Sequence, residues 1–264
     1  MAPVIAMVSD FGSQDHYAGT MKGVILGICP AATLVDITHD IPPHDVLTGA
    51  LQLGAAYRYF PPGTIFLVVV DPGVGSGRRG IAADAGGYRF VAPDNGVLTA
   101  VFREEPPKKV VELTERRYAR PTVSRTFEGR DRFAPAAAWL GKGIQLAALG
   151  RPITSFQQID MPAPHVGDDL LAGEVMVVDR FGNLVSNIER RTFEAFARGG
   201  PVQILVNARP VARLVSTYSE MGPGELCALF GSSDHLELAL NAGHAGEALG
   251  AARGMRVEIR RGGE

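Results

Sequence analysis

Cysteine is scarce in this sequence, which has only Cys29 and Cys227 among its 264 residues. The two lie far apart, and neither belongs to a Cys-x-x-Cys pair or to another reactive motif. This excludes a disulfide scaffold and a cysteine-rich zinc site. Two reduced, structural thiols are typical of a cytoplasmic protein, and the cytoplasm is the location that we expect.

Excess charge and long apolar runs are also missing. The net charge of −2 provides no basic stripe for nucleic acid. No apolar run approaches the roughly 20 residues of a membrane helix, so we expect no membrane partner. The start, Met1-Ala2-Pro3, lacks the basic region of a signal peptide. Gly-x-Ser-x-Gly and the Walker loop are absent as well, which argues against serine acyl transfer and nucleoside triphosphate hydrolysis.

The order of the remaining segments predicts an α/β fold with two domains. Strand-like apolar runs alternate with helical segments in residues 1–164, which indicates an N-terminal α/β domain with a mostly parallel sheet. Residues 165–264 contain short, regularly spaced strand-like runs, which indicate a C-terminal small β-barrel domain. The predicted strands are 3–9, 34–38, 64–70, 80–85, 88–92, 174–179, 184–188, 202–206, 211–218, 226–230, 236–240 and 255–259, and the predicted helices are 17–28, 45–59, 132–140 and 192–197.

Two carboxylates directly follow buried apolar runs. Asp71 ends the run 64–70 and opens a glycine-rich loop that leads to Arg78, while Asp10 ends the run 3–9. Ligands of open α/β sheets bind beyond the carboxyl ends of the strands, so we expect both carboxylates at a functional site. A structural ion pair between Asp71 and Arg78 is the alternative, and the position at a strand end favours function.

Two patterns suggest other chemistries that we disfavour. The loop Gly73-Val74-Gly75-Ser76-Gly77 resembles a dinucleotide-binding loop, but a strand-like run follows it where that motif requires a helix. His39, Asp40 and His44 suggest a metal hydrolase. Two prolines interrupt the ligand spacing of that group, so we expect no metal.

Two further segments leave their alternatives open. The charged segment 126–135 fits a pocket wall and a solvated helix start equally well, and Asp131 in it fits a helix N-cap. Arg180-Phe181-Gly182-Asn183 fits a simple turn, because glycine and asparagine favour positive φ. It equally fits an asparagine that is held rigidly to read an adenine edge.

Several motifs form a joint pattern: Met7-Val8-Ser9-Asp10-Phe11-Gly12 with Asp15, Met21-Lys22-Gly23, Asp36-Ile37-Thr38-His39, Asp71-Pro72-Gly73-Val74-Gly75, Ala92-Pro93-Asp94-Asn95-Gly96, Thr126-Phe127 with Gly129-Arg130-Asp131, and Phe181-Gly182-Asn183. Together they resemble the S-adenosyl-L-methionine (SAM) hydrolase family, also called SAM hydroxide adenosyltransferases, which is related to the bacterial fluorinase and chlorinase. The resemblance covers nearly the whole chain.

The resemblance implies hydrolysis of SAM to adenosine and methionine by attack of water or hydroxide on the ribose C5′, without metal or cofactor. The leaving group is a neutral thioether, so the enzyme mainly has to position and polarise one water molecule. The resemblance also implies a homotrimer, with sites between the N-terminal domain of one chain and the C-terminal domain of the next.

The resemblance assigns the catalytic positions to Asp71, Arg78 and Glu128. The family has histidine at the third position, so Glu128 is a departure that allows an alternative, a non-catalytic SAM- or adenosine-binding protein. The halogenases have tyrosine in place of Asp71, and a carboxylate there repels halide, which argues against halogenation.

The same resemblance implies roles in binding the substrate for five other residues. Asp10 matches the carboxylate that accepts hydrogen bonds from the ribose hydroxyls. Asp15 and Asp179 match groups that neutralise the methionine ammonium. Asn183 matches the residue that reads adenine, and Ser232 matches a hydroxyl that contacts the methionine carboxylate.

Overall fold

The computed structural model describes residues 2–262, which fall into two units. The first unit ends at Met161 and the second begins at Pro162. One seven-stranded sheet forms the first unit, and one eight-stranded sheet forms the second. Within residues 2–262, every helix is too short or too polar to cross a membrane.

The first unit alternates strands and helices along the chain. Its elements are β1 (Val4–Ser9), α1 (Tyr17–Ile28), β2 (Thr33–Thr38), α2 (Val46–Ala56), β3 (Ile65–Val69), β4 (Gly80–Ala85), β5 (Tyr88–Pro93), α3 (Thr99–Glu104), β6 (Lys109–Leu113), α4 (Ala134–Gly141) and β7 (Gly150–Ile153).

The sheet of the first unit is mixed. Its first four strands, in the order β2, β1, β3 and β5, run parallel. The neighbours β5–β4, β4–β6 and β6–β7 are antiparallel, so the prediction of a mostly parallel sheet holds only for the first half. The change begins at the β4–β5 hairpin, where Gly86 and Gly87 both have the positive φ that a tight two-residue turn requires.

Helices cover both faces of this sheet. Successive side chains of a strand point to opposite faces. Accordingly, Ile5 and Met7 of β1 pack in one core with residues of α1 and α4, while Ala6 and Val8 pack in the other with residues of α2 and α3. Burial on both faces explains the continuous apolar runs of the sequence. It also leaves the ends of the strands as the places where polar side chains can gather.

The predicted helices and strands of the first unit are confirmed, with small differences at their ends. Helix α1 spans the predicted residues, and α2 begins after Asp45, whose side chain accepts a hydrogen bond from the Thr48 N–H. The predicted helix at 132–140 is confirmed by α4 over residues 134–140, while residues 132–133 belong to a π-helical turn, Gly129–Phe133, that continues into α4. The sequence reasoning missed α3, β6 and β7.

The second unit is built on antiparallel strands. Its elements are β8 (His165–Val166), β9 (Leu170–Val178), β10 (Leu184–Glu189), α5 (Arg190–Ala197), β11 (Val202–Val206), β12 (Arg209–Pro210), β13 (Leu226–Phe230), β14 (His235–Leu240), α6 (Ala245–Leu249) and β15 (Arg256–Arg261). The strand order is β12-β11-β15-β9-β10-β14-β13, and β8 pairs with β9.

This sheet curls into a half-barrel around an apolar core. An isolated bridge joins Leu214, just after β12 at one end of the order, to Ala228 of β13 at the other end. The predicted strand over 211–218 is wrong. The Glu220 carboxylate accepts hydrogen bonds from the N–H groups of Ser216 and Thr217, and a short 3₁₀ helix, Tyr218–Glu220, follows these two residues.

Candidate active site

The parallel pairing of β1 and β3 brings two predicted carboxylates to one edge of the sheet. Ser9 is the register partner of Val69, so Asp10 and Asp71 follow adjacent strand ends. Both line a cavity of about 200 Å³ within the first unit. The cavity is lined by Asp10, Phe11, Pro43, His44, Val69, Asp71, Val74, Thr126, Phe127, Glu128 and Gly129. This position agrees with the rule that ligands bind beyond the carboxyl ends of strands.

Arg78 joins Asp71 and Glu128 into one buried cluster. Its Nε donates to Asp71 Oδ1 at 2.8 Å, and its Nη2 donates to Asp71 Oδ2 and lies 2.9 Å from Glu128 Oε2. The three side chains are only 7–11% exposed. Burial alone would lower the pKa of Arg78, but the two carboxylates outweigh it and raise that pKa. Arg78 therefore stays cationic and holds both carboxylates in fixed orientations.

The glycine-rich loop returns Arg78 to Asp71. Two tight turns form it, with the Val74 N–H donating to the Asp71 carbonyl and the Ser76 N–H to the Gly73 carbonyl. Gly75 has φ +75°, and a Cβ there would lie 2.3 Å from the carbonyl oxygen of Arg125, so only glycine fits this close approach. The strand β4 follows the loop, so no helix N-terminus is available for a dinucleotide.

Glu128 immediately precedes the π-helical turn, a feature often found at functional sites. Arg132, four residues later, donates from Nη1 to Glu128 Oε2 at 3.3 Å and from Nη2 to the Leu113 carbonyl at 2.7 Å. The cluster thus contains two carboxylates and two guanidinium groups. The sequence reasoning assigned no role to Arg132, although its i, i+4 spacing from Glu128 is a recognisable signal.

Arg78 keeps one donor group without a protein partner. Among residues 2–262, its Nη1 is the single buried side-chain nitrogen or oxygen that lacks a hydrogen bond. The guanidinium also lies over the Phe133 ring, with Cζ 5.1 Å from the centroid. A buried donor without a partner is unfavourable unless water or a ligand accepts from it. Arg78 faces Asp71 through Nε and Nη2, so Nη1 lies on the side of the guanidinium that faces away from this carboxylate.

Asp131 makes structural contacts, and it does not form the helix N-cap that the sequence suggested. Its side chain is fully buried and accepts from the Ser124 N–H at 2.8 Å and from Arg130 Nε at 2.6 Å. It is absent from the cavity lining and does not cap a helix. Burial would raise the pKa of Asp131, but these hydrogen bonds outweigh it and lower the pKa below its ordinary value.

Replacing Asp131 by Asn should therefore destabilise the protein near neutral pH, by about 1.5–3 kcal/mol for each charge-assisted bond that is lost. A carboxylate with a depressed pKa stabilises the fold above its unfolded pKa, and this contribution disappears as the pH falls through the folded pKa. Melting temperatures of wild type and Asp131→Asn should thus differ at pH 7 and converge below about pH 4. The exposed Asp160→Asn variant is the control, and a constant difference down to pH 3 would contradict the assignment.

Asp10 is held by the backbone of the neighbouring loop. The His44 N–H donates to Asp10 Oδ2 at 2.8 Å, and His44 has φ +67°, an unfavourable value for a residue with a side chain. His39 bonds to Ser9 and Asp36. Within residues 2–262, no three or more histidine, cysteine or acidic side chains gather as a metal site would require. Asp15 lies exposed in the turn before α1 and does not line the cavity.

In the second unit, Asp179 and Asn183 close the turn between β9 and β10. Asp179 Oδ1 accepts the N–H groups of Phe181 at 2.9 Å and Asn183 at 2.8 Å, and the Asn183 amide donates to Asp179 Oδ2 at 2.9 Å. Gly182 has φ +86°, and a Cβ there would lie 2.3 Å from the His244 ring. The turn interpretation is confirmed, and substrate binding by the same two residues stays a prediction.

A buried carboxyl group, that of Glu237, lies near the half-buried Asp179. Burial raises the pKa of Glu237, Asp179 raises it further, and the Tyr218 hydroxyl, 3.1 Å from Glu237 Oε2, partly opposes this shift. Burial and Glu237 together raise the pKa of Tyr218 to about 12. Ser232, the last predicted binding residue, lies exposed in the turn between β13 and β14.

Two family models match most of the chain. Residues 5–150 match the SAM hydroxide adenosyltransferase N-terminal domain, and residues 173–258 match the SAM hydroxide adenosyltransferase C-terminal domain. The two matches lie in the first and the second unit, respectively.

Similar proteins match over nearly the full chain. An (R)-S-adenosyl-L-methionine hydrolase of Salinispora tropica is 36% identical over 260 residues, which covers 97% of this chain and 97% of the relative. A fluorinase of an Actinoplanes species is 30% identical over 272 residues, or 91% of each chain. The crystal structure of an uncharacterized conserved protein from Thermotoga maritima is 37% identical, with a TM-score of 0.92, and the match covers 97% of this chain and 100% of that one.

Proposed function

Because this chain belongs to the SAM hydroxide adenosyltransferase family, we infer that it hydrolyses SAM to adenosine and L-methionine. The observation that carries this conclusion is that Asp71, held by Arg78, lines a carboxylate-rich cavity at the ends of β1 and β3. The cavity presents Asp10, Asp71 and Glu128, so it favours a positively charged sulfonium over an anionic nucleophile such as halide.

Asp71 is the group that we assign to receive a proton from the attacking water. Arg78 occupies one lone pair on each Asp71 oxygen, and a carboxylate has about four acceptor sites, so sites remain for the water. The water oxygen bonds to C5′ as the C5′–S bond breaks, and the bonding electron pair stays on sulfur. The water proton passes to Asp71, and the released thioether is neutral, so no general acid is required.

Two residues hold Asp71 ready for this step. Arg78 fixes the carboxylate through two bonds, donated by Nε and Nη2. Glu128 holds Arg78 from the other side, and Arg132 holds Glu128. Positioning of this kind accounts for much of the rate in a displacement that needs no covalent intermediate.

The test is incubation of the purified protein with SAM in metal-free buffer, with adenosine and methionine followed by chromatography. The hydrolase of Salinispora tropica is named for the (R) form of SAM. We therefore propose the (R) sulfonium epimer as the preferred substrate and include both epimers. Equal amounts of adenosine and methionine, dependent on enzyme, are expected, and tight binding without products would overturn hydrolysis.

Glu128 supports a second candidate, a non-catalytic SAM- or adenosine-binding protein. Unlike a neutral imidazole, this carboxylate carries a negative charge, and its Oε2 accepts from both Arg78 and Arg132. In that case the wild type would bind SAM without turnover, and Glu128→His would create hydrolysis.

We also propose that the complete site forms in a homotrimer. The cavity of about 200 Å³ is smaller than the roughly 300–1,000 Å³ of pockets that enclose a whole small ligand, so it suits only part of SAM. In this proposal a neighbouring chain supplies the second unit, with Asp179 and Asn183, while Asp15 and Ser232 contact the methionine part. Light scattering on a sizing column tests it, and a monomer that is fully active would overturn it.

Two structural proposals accompany this one. Residues 165–264 form a small β-barrel domain, supported by the bridge between the two ends of the curled sheet. The protein acts in the cytoplasm, supported by two cysteines that are both buried and unbridged.

A further inference from the structure

Behind Asp10, four side chains form a continuous hydrogen-bonded chain, which we call the His39 relay: Ser9, His39, Asp36 and Lys22. Ser9 Oγ lies 2.6 Å from His39 Nδ1, and His39 Nε2 lies 3.1 Å from Asp36 Oδ1. Lys22 Nζ donates to Asp36 Oδ2 at 2.6 Å. The relay links the ends of β1 and β2 to the exposed side of α1.

The chemistry of the partners sets the direction of each bond. The ionised Asp36 can only accept, so His39 Nε2 carries a proton, and in the neutral imidazole Nδ1 then accepts from the Ser9 hydroxyl. Burial would raise the pKa of Asp36, but hydrogen bonds from Lys22 and His39 outweigh it and lower the pKa. Asp36 therefore remains an acceptor at neutral pH and orients the imidazole ring.

The order serine, histidine, aspartate matches the arrangement of a serine nucleophile, but its burial excludes that chemistry. Ser9 is fully buried inside the first unit and does not line the cavity, so no substrate atom can reach its hydroxyl. Activation by the imidazole also requires a reacting atom within about 3 Å of the nucleophile. The relay therefore acts on the protein itself.

Its target is the residue next to Ser9. Asp10 lies between two residues that both bond to His39: the Ser9 hydroxyl contacts the ring, and the Gly12 N–H donates to the His39 carbonyl at 2.7 Å. The Ser9 carbonyl also accepts the Ile41 N–H at 3.4 Å. One histidine thus anchors the chain on both sides of Asp10. The His44 N–H holds the Asp10 carboxylate itself, at Oδ2.

We propose that the His39 relay is a positioning device that holds the Asp10 carboxylate in the orientation needed to accept both hydroxyls of a vicinal diol. This inference rests on the proposed function, in which Asp10 binds the ribose of SAM and adenosine. Asp10 Oδ2 already accepts from His44, so a diol has to use Oδ1 and the remaining acceptor site of Oδ2. Such a two-point contact tolerates little rotation of the carboxylate, which is why its flanking residues have to be fixed.

The test compares the affinities of adenosine and 2′-deoxyadenosine by calorimetry. Wild type should prefer adenosine by about 10–100-fold, the value of a hydrogen bond to a charged group. His39→Leu should reduce this preference to within about threefold. His39→Asn keeps an acceptor near Ser9 and should retain part of the preference. Ser9→Ala keeps His39 but removes the hydrogen bond between the Ser9 hydroxyl and the imidazole, so its nucleoside preference should resemble that of His39→Leu. It also provides a second variant if His39→Leu does not fold.

If His39 has only a general structural role, its replacement will weaken the binding of both nucleosides equally and preserve the ratio of their affinities. That result would overturn the inference while leaving SAM hydrolysis intact. Equal affinities in the wild type would also overturn it, because Asp10 would then not read the diol. If the wild type binds neither nucleoside but still hydrolyses SAM, the inference fails and the proposed function stands; if it neither binds them nor hydrolyses SAM, both fail. The control is Glu104→Gln at the end of α3. This variant removes the negative charge that Tyr57 and Arg58 contact, far from the relay in the fold, and should leave the ratio of the two nucleoside affinities unchanged.

Discussion

Replacing Asp71 by Asn is expected to reduce kcat for SAM hydrolysis by about 10²–10⁴-fold, the usual contribution of a general base. Asparagine keeps the size of the side chain and one oxygen that can accept from Arg78 Nε, so the loop stays in place. It cannot take the proton that the attacking water releases. KM and the affinity for adenosine should change by only a few-fold, because the variant loses an interaction of the transition state.

Single-turnover assays and calorimetry with adenosine separate the two effects. Asp71→Ala should abolish turnover as well, with SAM still bound. Asp160→Asn, an exposed aspartate of the same unit, controls for the change of charge and should retain full activity. Full activity of either Asp71 variant would overturn the role of this carboxylate. Loss of adenosine binding together with activity would indicate that the Asp71–Arg78 pair is mainly structural.

Sequence reasoning predicted that Asp10 and Asp71 lie together because their proximity follows from strand geometry. Asp10 and Asp71 both end continuous apolar runs, and runs buried on both faces belong to neighbouring parallel strands whose carboxyl ends coincide. The loop from Asp71 to Arg78 is short, so their pairing follows from local chain length. The fold family and the reaction followed from motifs spread over the whole chain.

The features that the sequence reasoning missed depend on contacts that no local sequence pattern encodes. The strand β7 contains Gly150 and Pro152 and gains its partner only through pairing with β6. The segment 211–218 has the composition of a strand, but Glu220 accepts its backbone N–H groups and ends the ladder. The His39 relay joins residues up to 30 positions apart, so its existence depends on the packing of β1 beside β2.

The contacts of the candidate site residues argue for a function more strongly in the first unit than in the second. In the first unit, the buried carboxylates of Asp71 and Glu128 both line the cavity, and a buried ion pair is by itself weak evidence for a stabilising role. In the second, Asp179 and Asn183 satisfy each other within one turn, which a purely structural role explains equally well. The mutational argument is therefore sharpest at the carboxylate–arginine cluster.

Replacing Glu128 by Gln is expected to lower kcat by about 10–100-fold, or about 1.4–2.7 kcal/mol of transition-state stabilisation. Glutamine keeps an acceptor for Arg78 and Arg132 but removes the negative charge that balances them. The excess positive charge beside Asp71 stabilises its ionised form, and a more strongly stabilised carboxylate is a weaker proton acceptor. Rates and melting temperatures measured together distinguish this effect from loss of the fold.

Glu128→His decides what the departure from the family pattern means. A neutral imidazole still accepts a hydrogen bond from Arg78 but, like glutamine, lacks the negative charge, so this variant should remain folded and hydrolyse SAM about 10–100-fold more slowly than an active wild type. The matched control is Glu112→His, which makes the same replacement in another carboxylate–arginine pair of the same unit, with Arg151, outside the cavity, and should leave the rate unchanged. An inactive wild type that gains activity with histidine would instead identify Glu128 as the change that turned a hydrolase fold into a binding protein.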